Sequence, residues 1–254
     1  MNLVLATLLL AQATAPAPPV SITLGPRHGH VSPTRQGCVH TGGGNIDVAQ
    51  PTPDTVVITM TGVAVATAQP CKDSLAALQF DLEQCFDIAF DDPKVKRARL
   101  TLEGRVIGLL RSHKGGGSAD QAPGRAAVFA GPVGLLALEV PPHSVTGGEN
   151  LSVNCRSGPV SAPVMPGPYT LRQAFAIRAA HPHRLKPCQA ASAEFAPDPA
   201  LDPLWISYWE PFHGAAKKDF GLQIILKVAP DSGADEKGKA DLPPPRPEGG
   251  PRKD

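Results

Sequence analysis

The chain has 254 residues, with 25 glycines and 29 prolines, and its 24 Lys and Arg nearly balance its 23 Asp and Glu. This content of glycine and proline excludes a mostly helical protein, because each proline removes a backbone donor that a helix interior requires. The net charge of +1 argues against nucleic-acid binding, which relies on an excess of basic side chains.

The N-terminus has the features of a secretory signal peptide. A short apolar run, Leu3 to Leu10, precedes Ala11-Gln12-Ala13, which has the small-x-small pattern of a signal-peptidase site. We predict cleavage after Ala13 and export to the periplasm or the extracellular space. The run is far shorter than the roughly 20 residues that span a bilayer. No later segment approaches that length, so we predict no transmembrane segment after signal removal.

The composition of the two ends differs from that of the middle. Residues 14–19 are dominated by alanine, proline and threonine and are predicted to form a flexible leader. Residues 230–254 are rich in proline, glycine and charge, with too little apolar bulk to order, and are predicted to be disordered. The glycine-rich stretch Lys114 to Gly124 is compatible with a domain boundary, but we favour a long loop within one domain over residues 20–229.

The cysteines predict a disulfide framework. Five are present, Cys38, Cys71, Cys85, Cys155 and Cys188, and disulfides persist in an oxidising compartment. Fifteen arrangements of two bridges are open. We favour Cys71 with Cys85 and Cys155 with Cys188, because each is the other's nearest neighbour in sequence, which leaves Cys38 unpaired. No pair has the Cys-x-x-Cys spacing of a redox or zinc motif.

Alternation with period two dominates the middle of the chain. In Leu78 to Phe90 the even positions are apolar except Gln84, and Ala98 to Leu110 has apolar even positions opposite charged odd ones. Asp91-Asp92-Pro93-Lys94 has turn composition, so we predict a hairpin. Its register places these residues opposite each other: Phe86 and Leu100, Asp87 and Arg99, Asp81 and Arg105.

Further strands are predicted along the rest of the domain. Val56, Ile58 and Met60 alternate on even numbers and Val63 and Val65 on odd ones, so we predict a β-bulge at Gly62. The other candidates are Ala126–Ala130, Leu135–Val140, Asn150–Cys155, Tyr169–Ile177, Leu204–Trp209 and Phe220–Val228. Eight or nine short strands with almost no helical signal predict an all-β, antiparallel β-sandwich.

One short segment resembles a feature of immunoglobulin-like sandwiches. In those folds a tyrosine near the start of a strand hydrogen-bonds across a corner, and Gly167-Pro168-Tyr169-Thr170-Leu171 is similar to such a strand start. The resemblance implies a general architecture and carries no function.

A cluster of metal-ligand side chains lies near the N-terminus. His28, His30, Cys38 and His40 form His-x-His followed by Cys-x-His, and imidazole with thiolate binds copper or zinc. The alternative interpretation, which we favour over a metal site, is a polar N-terminal loop with Cys38 in a disulfide, which requires one of the other pairings that stay open.

The aromatic residues are concentrated in one place. Trp205, Tyr208, Trp209 and Phe212 lie within eight residues and include both tryptophans of the chain. Core packing is the favoured interpretation. A protein interface or stacking on sugar rings are the alternatives, and Trp205 and Trp209 would share one face of a strand.

Three functional classes stay open. We favour an exported, non-enzymatic structural or interaction module that binds an unknown protein or an envelope component. The second class is a metal-binding module built on the histidine and cysteine cluster. The third is a hydrolase, for which the sequence offers no recognisable site, since Gly116-Gly117-Ser118-Ala119-Asp120 lacks the final glycine of a nucleophile elbow.

Overall fold

The computed structural model describes residues 18–37, 39–67, 73–112, 116–182, 190–195 and 220–231. The regular structure in these residues is β-strand, and the strands form two antiparallel sheets packed face to face. The predicted antiparallel β-sandwich is therefore confirmed. The described residues form 13 strands, more than the eight or nine expected, in part because proline-containing breaks divide some extended segments in two.

The strands are, in chain order, β1 (Val20–Gln36), β2 (Val39–Thr52), β3 (Thr55–Thr67), β4 (Ser74–Phe90), β5 (Ala98–Arg111), β6 (Ser118–Gln121), β7 (Gly124–Ala130), β8 (Val133–Val140), β9 (His143–Thr146), β10 (Asn150–Val164), β11 (Gly167–His181), β12 (Ala190–Glu194) and β13 (Gly221–Pro230). Sheet A has seven strands in the order β1-β4-β11, beyond which the pairs β6–β9 and β7–β8 lie end to end along β11. Sheet B has six strands. β2 pairs with β3 on one side and β10 pairs with β5 on the other, and β12 and β13 both lie between β3 and β5 and pair with each of them.

The predicted hairpin between β4 and β5, the two strands with the clearest alternation, is wrong. β4 belongs to sheet A, where Asp87 lies opposite Thr23 and Pro168, whereas β5 belongs to sheet B, where Arg99 lies opposite Pro163 and Ala229. The apolar faces of the two strands therefore belong to opposite sheets and contribute to one common core, and the strands share no edge. Alternation with period two identifies which face of a strand is buried. That face is the same whether the two strands form a hairpin or lie in opposite sheets, so the alternation does not identify the partner strand.

The buried face predicted for β4 is largely confirmed. Its even-numbered apolar residues from Leu78 to Ile88 are buried, while Phe90, at the end of the strand, is only half-buried. On the other face Asp87 is exposed and Asp81 is partly covered.

Two large rings, one from sheet A and one from the end of a strand of sheet B, pack against glycines of sheet B. A Cβ at Gly62 would lie 2.7 Å from the Phe80 ring, and one at Gly108 would lie 2.3 Å from the ring of Phe195, which follows β12. The Phe175 ring lies between these two rings, at centroid distances of 5.8 Å from Phe80 and 5.6 Å from Phe195. The centre of the sandwich is therefore an aromatic cluster that sheet B accommodates by having no side chain at these positions.

The predicted bulge at Gly62 is wrong. Even-numbered residues of β3 stay buried from Val56 to Ala66, so the strand keeps one phase, and the bulge lies in the partner strand β2 between Thr41 and Gly44. Gly62 is at a core-facing position, where the Phe80 ring occupies the space that a side chain would need. Val63 faces outward and is nevertheless buried, which explains why the apolar pattern of the sequence seems to slip.

A bulge at Gly25-Pro26 changes the phase of β1. Two residues, Gly25 and Pro26, lie between Leu24, opposite Phe86, and Arg27, opposite Gln84. The Gln84 side chain is 3 % exposed, and its amide donates to the carbonyl oxygens of Gly25 at 3.0 Å and Cys85 at 2.7 Å. The carboxamide thus replaces the ladder bonds that the bulge interrupts.

The tyrosine predicted to bond across a corner does so. The Tyr169 hydroxyl donates to the Met165 carbonyl at 2.7 Å and accepts from the Met165 amide at 3.1 Å. Its ring stacks on Phe86 with the centroids 5.7 Å apart. These contacts fix the turn between β10 and β11, the central strand of sheet A.

Several predictions fall outside the described residues. These are the signal peptide (1–13), the strand Leu204–Trp209 and nearly all of the tail (230–254). Over the part of the chain that the structure describes, no helix has the length and apolar character needed to cross a membrane.

Two buried glutamines of sheet A give a matched test of the core. Gln84 is hydrogen-bonded, whereas Gln173, also 3 % exposed, has no hydrogen-bond partner for either side-chain polar atom among the described residues. Gln84→Leu is expected to lower the free energy of unfolding by about 1–3 kcal/mol, because it leaves backbone carbonyls without their hydrogen-bond donor. Gln173→Leu is expected to raise the free energy of unfolding by a similar amount, because it removes buried polar atoms that have no partner. Urea denaturation measures both. A loss of stability in both variants would contradict the assignment.

The turn between β2 and β3 gives a prediction for acid stability. Hydrogen bonds from Thr52 (2.5 Å) and Thr55 (3.1 Å), the Thr52 bond being the larger cause, lower the pKa of Asp54 below its ordinary 3.8. A lowered folded pKa stabilises the protein above the unfolded value, and this stability is lost as the pH falls through the folded value. Asp54→Asn should therefore be less stable than the wild type at pH 7, with the gap closing below about pH 3.8. Thr52→Val should act in the same direction, and a gap that widens on acidification would contradict the sign.

Candidate functional site

A groove of about 920 Å³ crosses the outer face of sheet A. It runs over β1, β4, β11, β7 and β8, and its low central part is formed by three small residues, Ala127, Ala137 and Ala174. Volumes of ~300–1,000 Å³ are typical of ligand sites. Charged side chains stand around these alanines, and we call this feature the groove.

The strand registers place charges of opposite sign side by side. In one row across the sheet, His30 lies opposite Asp81, Asp81 opposite Ala174, Ala174 opposite Arg125 and Arg125 opposite Glu139. Directly opposite residues of antiparallel strands point to the same side of the sheet. All five therefore belong to the outer face.

A second row lies two residues further along the strands. Here His28 lies opposite Glu83, Glu83 opposite Arg172, Arg172 opposite Ala127 and Ala127 opposite Ala137. The carboxylate of Glu83 thus stands between an imidazole and a guanidinium on its two neighbouring strands.

Two arginine–glutamate ion pairs and one histidine–aspartate contact result. Arg172 Nε donates to Glu83 Oε2 at 2.9 Å, Arg125 Nε donates to Glu139 Oε2 at 3.1 Å, and His30 Nε2 lies 3.6 Å from Asp81 Oδ2. The arginine side chains are 63 % and 69 % exposed, so both pairs are open to a ligand. The guanidinium of Arg172 also lies 5.2 Å from the centroid of the Phe129 ring.

The bulge in β1 turns the two histidines toward the groove. Up to Leu24 the even-numbered residues of β1 are opposite core-facing residues of β4, but after the extra residue His28 and His30 are opposite the outward-facing Glu83 and Asp81. Gln84 holds this bulge through its bonds to the backbone. The same glutamine that stabilises the edge of the core therefore orients one wall of the groove.

A break in the far half of sheet A ends the groove on one side. Pro123 separates β6 from β7, and Pro141 and Pro142 separate β8 from β9, since proline has no amide to donate to a ladder. The buried Gln121 spans the break, with its amide donating to the Pro141 carbonyl at 3.3 Å and its Oε1 2.9 Å from His143 Nδ1.

A second, smaller groove lies beyond this break on the same face. Its volume is about 620 Å³, and Ser32, Thr34, Gln79, Asp120 and Ser144 are among its lining residues. Both grooves cross β1, β4 and β11.

The predicted metal ligands are divided between the two sheets. His28 and His30 are in β1 of sheet A, whereas His40 is in β2 of sheet B, opposite Val65. His30 precedes the end of β1 by six residues, roughly 20 Å of strand. Cys38 lies outside the described residues. Within the described ranges, no group of three or more His, Cys, Asp or Glu side chains is placed to hold a metal ion.

The other predicted site residues are only partly described. Cys85 in β4 and Cys155 in β10 are free, half-buried cysteines, while their predicted partners, Cys71 and Cys188, fall on residues that the structure does not describe. The disulfide pairing stays a prediction. The same holds for the aromatic surface of Trp205, Tyr208, Trp209 and Phe212, which also lies beyond the described ranges.

Sequence reasoning missed most of the groove. Asp81 is predicted to lie opposite Arg105, and Glu83, Arg125, Glu139 and Arg172 are not singled out at all. Each strand contributes only one or two charged residues to the groove, so no single segment signals a site. The signal appears only when the register aligns the strands.

Comparison with known proteins adds no further information about the groove. The chain matches no protein-family model, and no match to a curated protein or to a solved structure is found. Any functional argument therefore rests on the geometry of the described residues.

Proposed function

We propose that the chain is an exported, non-enzymatic interaction module whose ligand-binding surface is the groove on sheet A. The observation that carries the proposal is the arrangement of two exposed arginine–glutamate ion pairs and one histidine–aspartate contact around a floor of alanines. Such a surface offers polar groups at fixed positions and leaves space above them for a ligand.

The chemistry of the groove favours binding over catalysis. Each of its carboxylates, Asp81, Glu83 and Glu139, already faces a basic side chain within 3.6 Å. The described side chains that line it include no serine, threonine, cysteine or lysine, the residues that most often act as nucleophiles. An interaction surface needs neither a nucleophile nor an activated base.

The position of the groove also supports a binding role. Its central strands, β4 and β11, are each paired on both sides, so their backbone is held rigidly. Side chains on such strands keep their relative positions more closely than side chains on loops do. A ligand would then meet groups that are already oriented, which lowers the entropy lost on binding.

Export rests on the N-terminal sequence. The apolar run from Leu3 and the small residues up to Ala13 support a cleaved signal peptide. An exported location would also favour disulfides among the five cysteines.

The export proposal is tested on protein recovered from outside the cytoplasm of expressing cells. The intact mass is expected to correspond to a chain that begins at Thr14. Alkylation before reduction should modify one cysteine and alkylation after reduction all five, because two disulfides leave one thiol. Three or more alkylated thiols before reduction would rule out the two bridges, and an uncleaved chain would rule out export by this signal.

The binding proposal is tested by filling the groove. Ala174→Trp places a large side chain on its floor between Asp81 and Arg125, while Ser161→Trp on the outer face of sheet B is the matched control. In a thermal-shift screen of oligosaccharides, short peptides, nucleotides and organic acids, at least one class should stabilise the wild type and the control but not Ala174→Trp. A ligand at about 100 times its Kd should stabilise by about 2.7 kcal/mol. Equal shifts in all three proteins, or none, would overturn the proposal.

A further inference from the structure

We infer that the ligand of the groove is an uncharged glycan chain that lies across the strands of sheet A. This inference rests on the proposed function, because it names the chemical class that the same groove would bind. Four observations lead to it: the presence of charges of both signs, the pairing of donors with acceptors, the absence of an unpaired strand beneath the centre of the groove, and the extent of the surface.

The outward-facing charges of the groove are of both signs. Among its described lining residues they are two arginines and three carboxylates: Arg125, Arg172, Asp81, Glu83 and Glu139. A polyanion would meet the carboxylates, and a polycation would meet the guanidinium groups, so neither is attracted as a whole. A neutral ligand encounters no such repulsion.

Donors and acceptors stand next to each other. In the Arg172–Glu83 and Arg125–Glu139 pairs the arginine uses Nε and the glutamate uses Oε2. The Nη groups of each arginine and Oε1 of each glutamate have no other hydrogen-bond partner among the described residues. A guanidinium only donates and a carboxylate only accepts, whereas a hydroxyl does both. Neighbouring hydroxyls of a sugar ring complement such a pair, one accepting from the arginine and the other donating to the glutamate.

The groove does not suit an extended peptide or an apolar ligand. Peptides add to sheets through unpaired edges, but β4 and β11 are bonded on both sides beneath the groove. The leucines that contribute to its lining, Leu82 and Leu138, are buried in the core at 3 % and 5 % exposure. Among the described lining residues that face outward, Phe129 is the large apolar side chain, and the Arg172 guanidinium lies over its ring.

The extent of the groove suits a chain and not a single sugar. It crosses five strands from β1 to β8, which at about 4.8 Å per spacing is roughly 19 Å. The second groove runs alongside it and offers hydroxyl and amide side chains, those of Ser32, Thr34, Gln79 and Ser144. The polar surface on this face is therefore larger than one sugar ring.

The experiment measures binding of the full exported protein to defined probes by isothermal titration calorimetry. The neutral probes are cellohexaose, xylohexaose, mannohexaose, maltohexaose and chitohexaose. Heparin and polygalacturonate are the polyanion probes, and an oligopeptide of alternating lysine and glutamate is the peptide probe. We expect at least one neutral glycan to bind, with a Kd that changes less than about twofold between 50 and 200 mM salt, whereas a polyanion held by several contacts would weaken by orders of magnitude.

Three variants locate the site. Arg172→Ala and Glu83→Gln should each weaken binding of the neutral glycan at least about tenfold, since each removes hydrogen bonds between a charged group and a sugar hydroxyl. Arg156→Ala, an exposed arginine of β10 on the outer face of sheet B, should leave the Kd unchanged. Circular dichroism and thermal denaturation check that all three variants fold.

The outcomes separate this inference from the proposed function. Binding of a polyanion or the peptide alone, lost in Ala174→Trp, would overturn the glycan class and keep the groove as a binding surface. Binding of a glycan that the groove variants do not alter would place the site elsewhere and overturn both. No binding in any class would also overturn both.

Discussion

The fold depends on the close approach of the two sheets, which the glycines of sheet B make possible. Gly62 leaves space for the Phe80 ring of sheet A, where a Cβ would lie 2.7 Å from a ring atom, and Gly108 leaves space for Phe195, whose ring enters the same core from the end of β12 in sheet B. Face-packed sheets interdigitate their side chains across a layer of about 10 Å, so large residues on one side require small ones on the other. Because the rings of sheet A fill the core, its opposite face is free to carry polar side chains.

Changes of strand phase decide which residues reach that outer face. In β1 the bulge at Gly25-Pro26 moves His28 and His30 from core-facing to outward-facing positions, and the amide of Gln84 supplies bonds that the bulge removes from the ladder. A β-bulge next to a functional surface commonly serves to redirect a side chain in this way. The hydrogen bonds of Gln84 to the backbone therefore affect both the stability of the core edge and the shape of the groove.

The sequence is sufficient to predict strands and buried faces but not strand partners. The alternation in β4 and β5 identifies the inward residues correctly, yet the same alternation suits a hairpin and a sandwich, and the fold has the second. At Gly62 the interpretation fails because glycine and alanine face the core while Val63 is buried on the outside. The groove escapes prediction for a related reason: Asp81 and Arg172 become neighbours of the same site only through a pairing between residues far apart in sequence.

The energetics of the groove support a role in recognition over a role in stability. Exposed pairs such as Arg172–Glu83 and Arg125–Glu139 contribute about 0–1 kcal/mol each, which is small beside the burial of the phenylalanines, at ~1.5–3 kcal/mol per side chain. The sandwich would therefore fold with neutral residues at these outer positions. An ordered set of donors and acceptors around a floor of alanines contributes little to folding, and what it does provide is a pre-oriented polar surface.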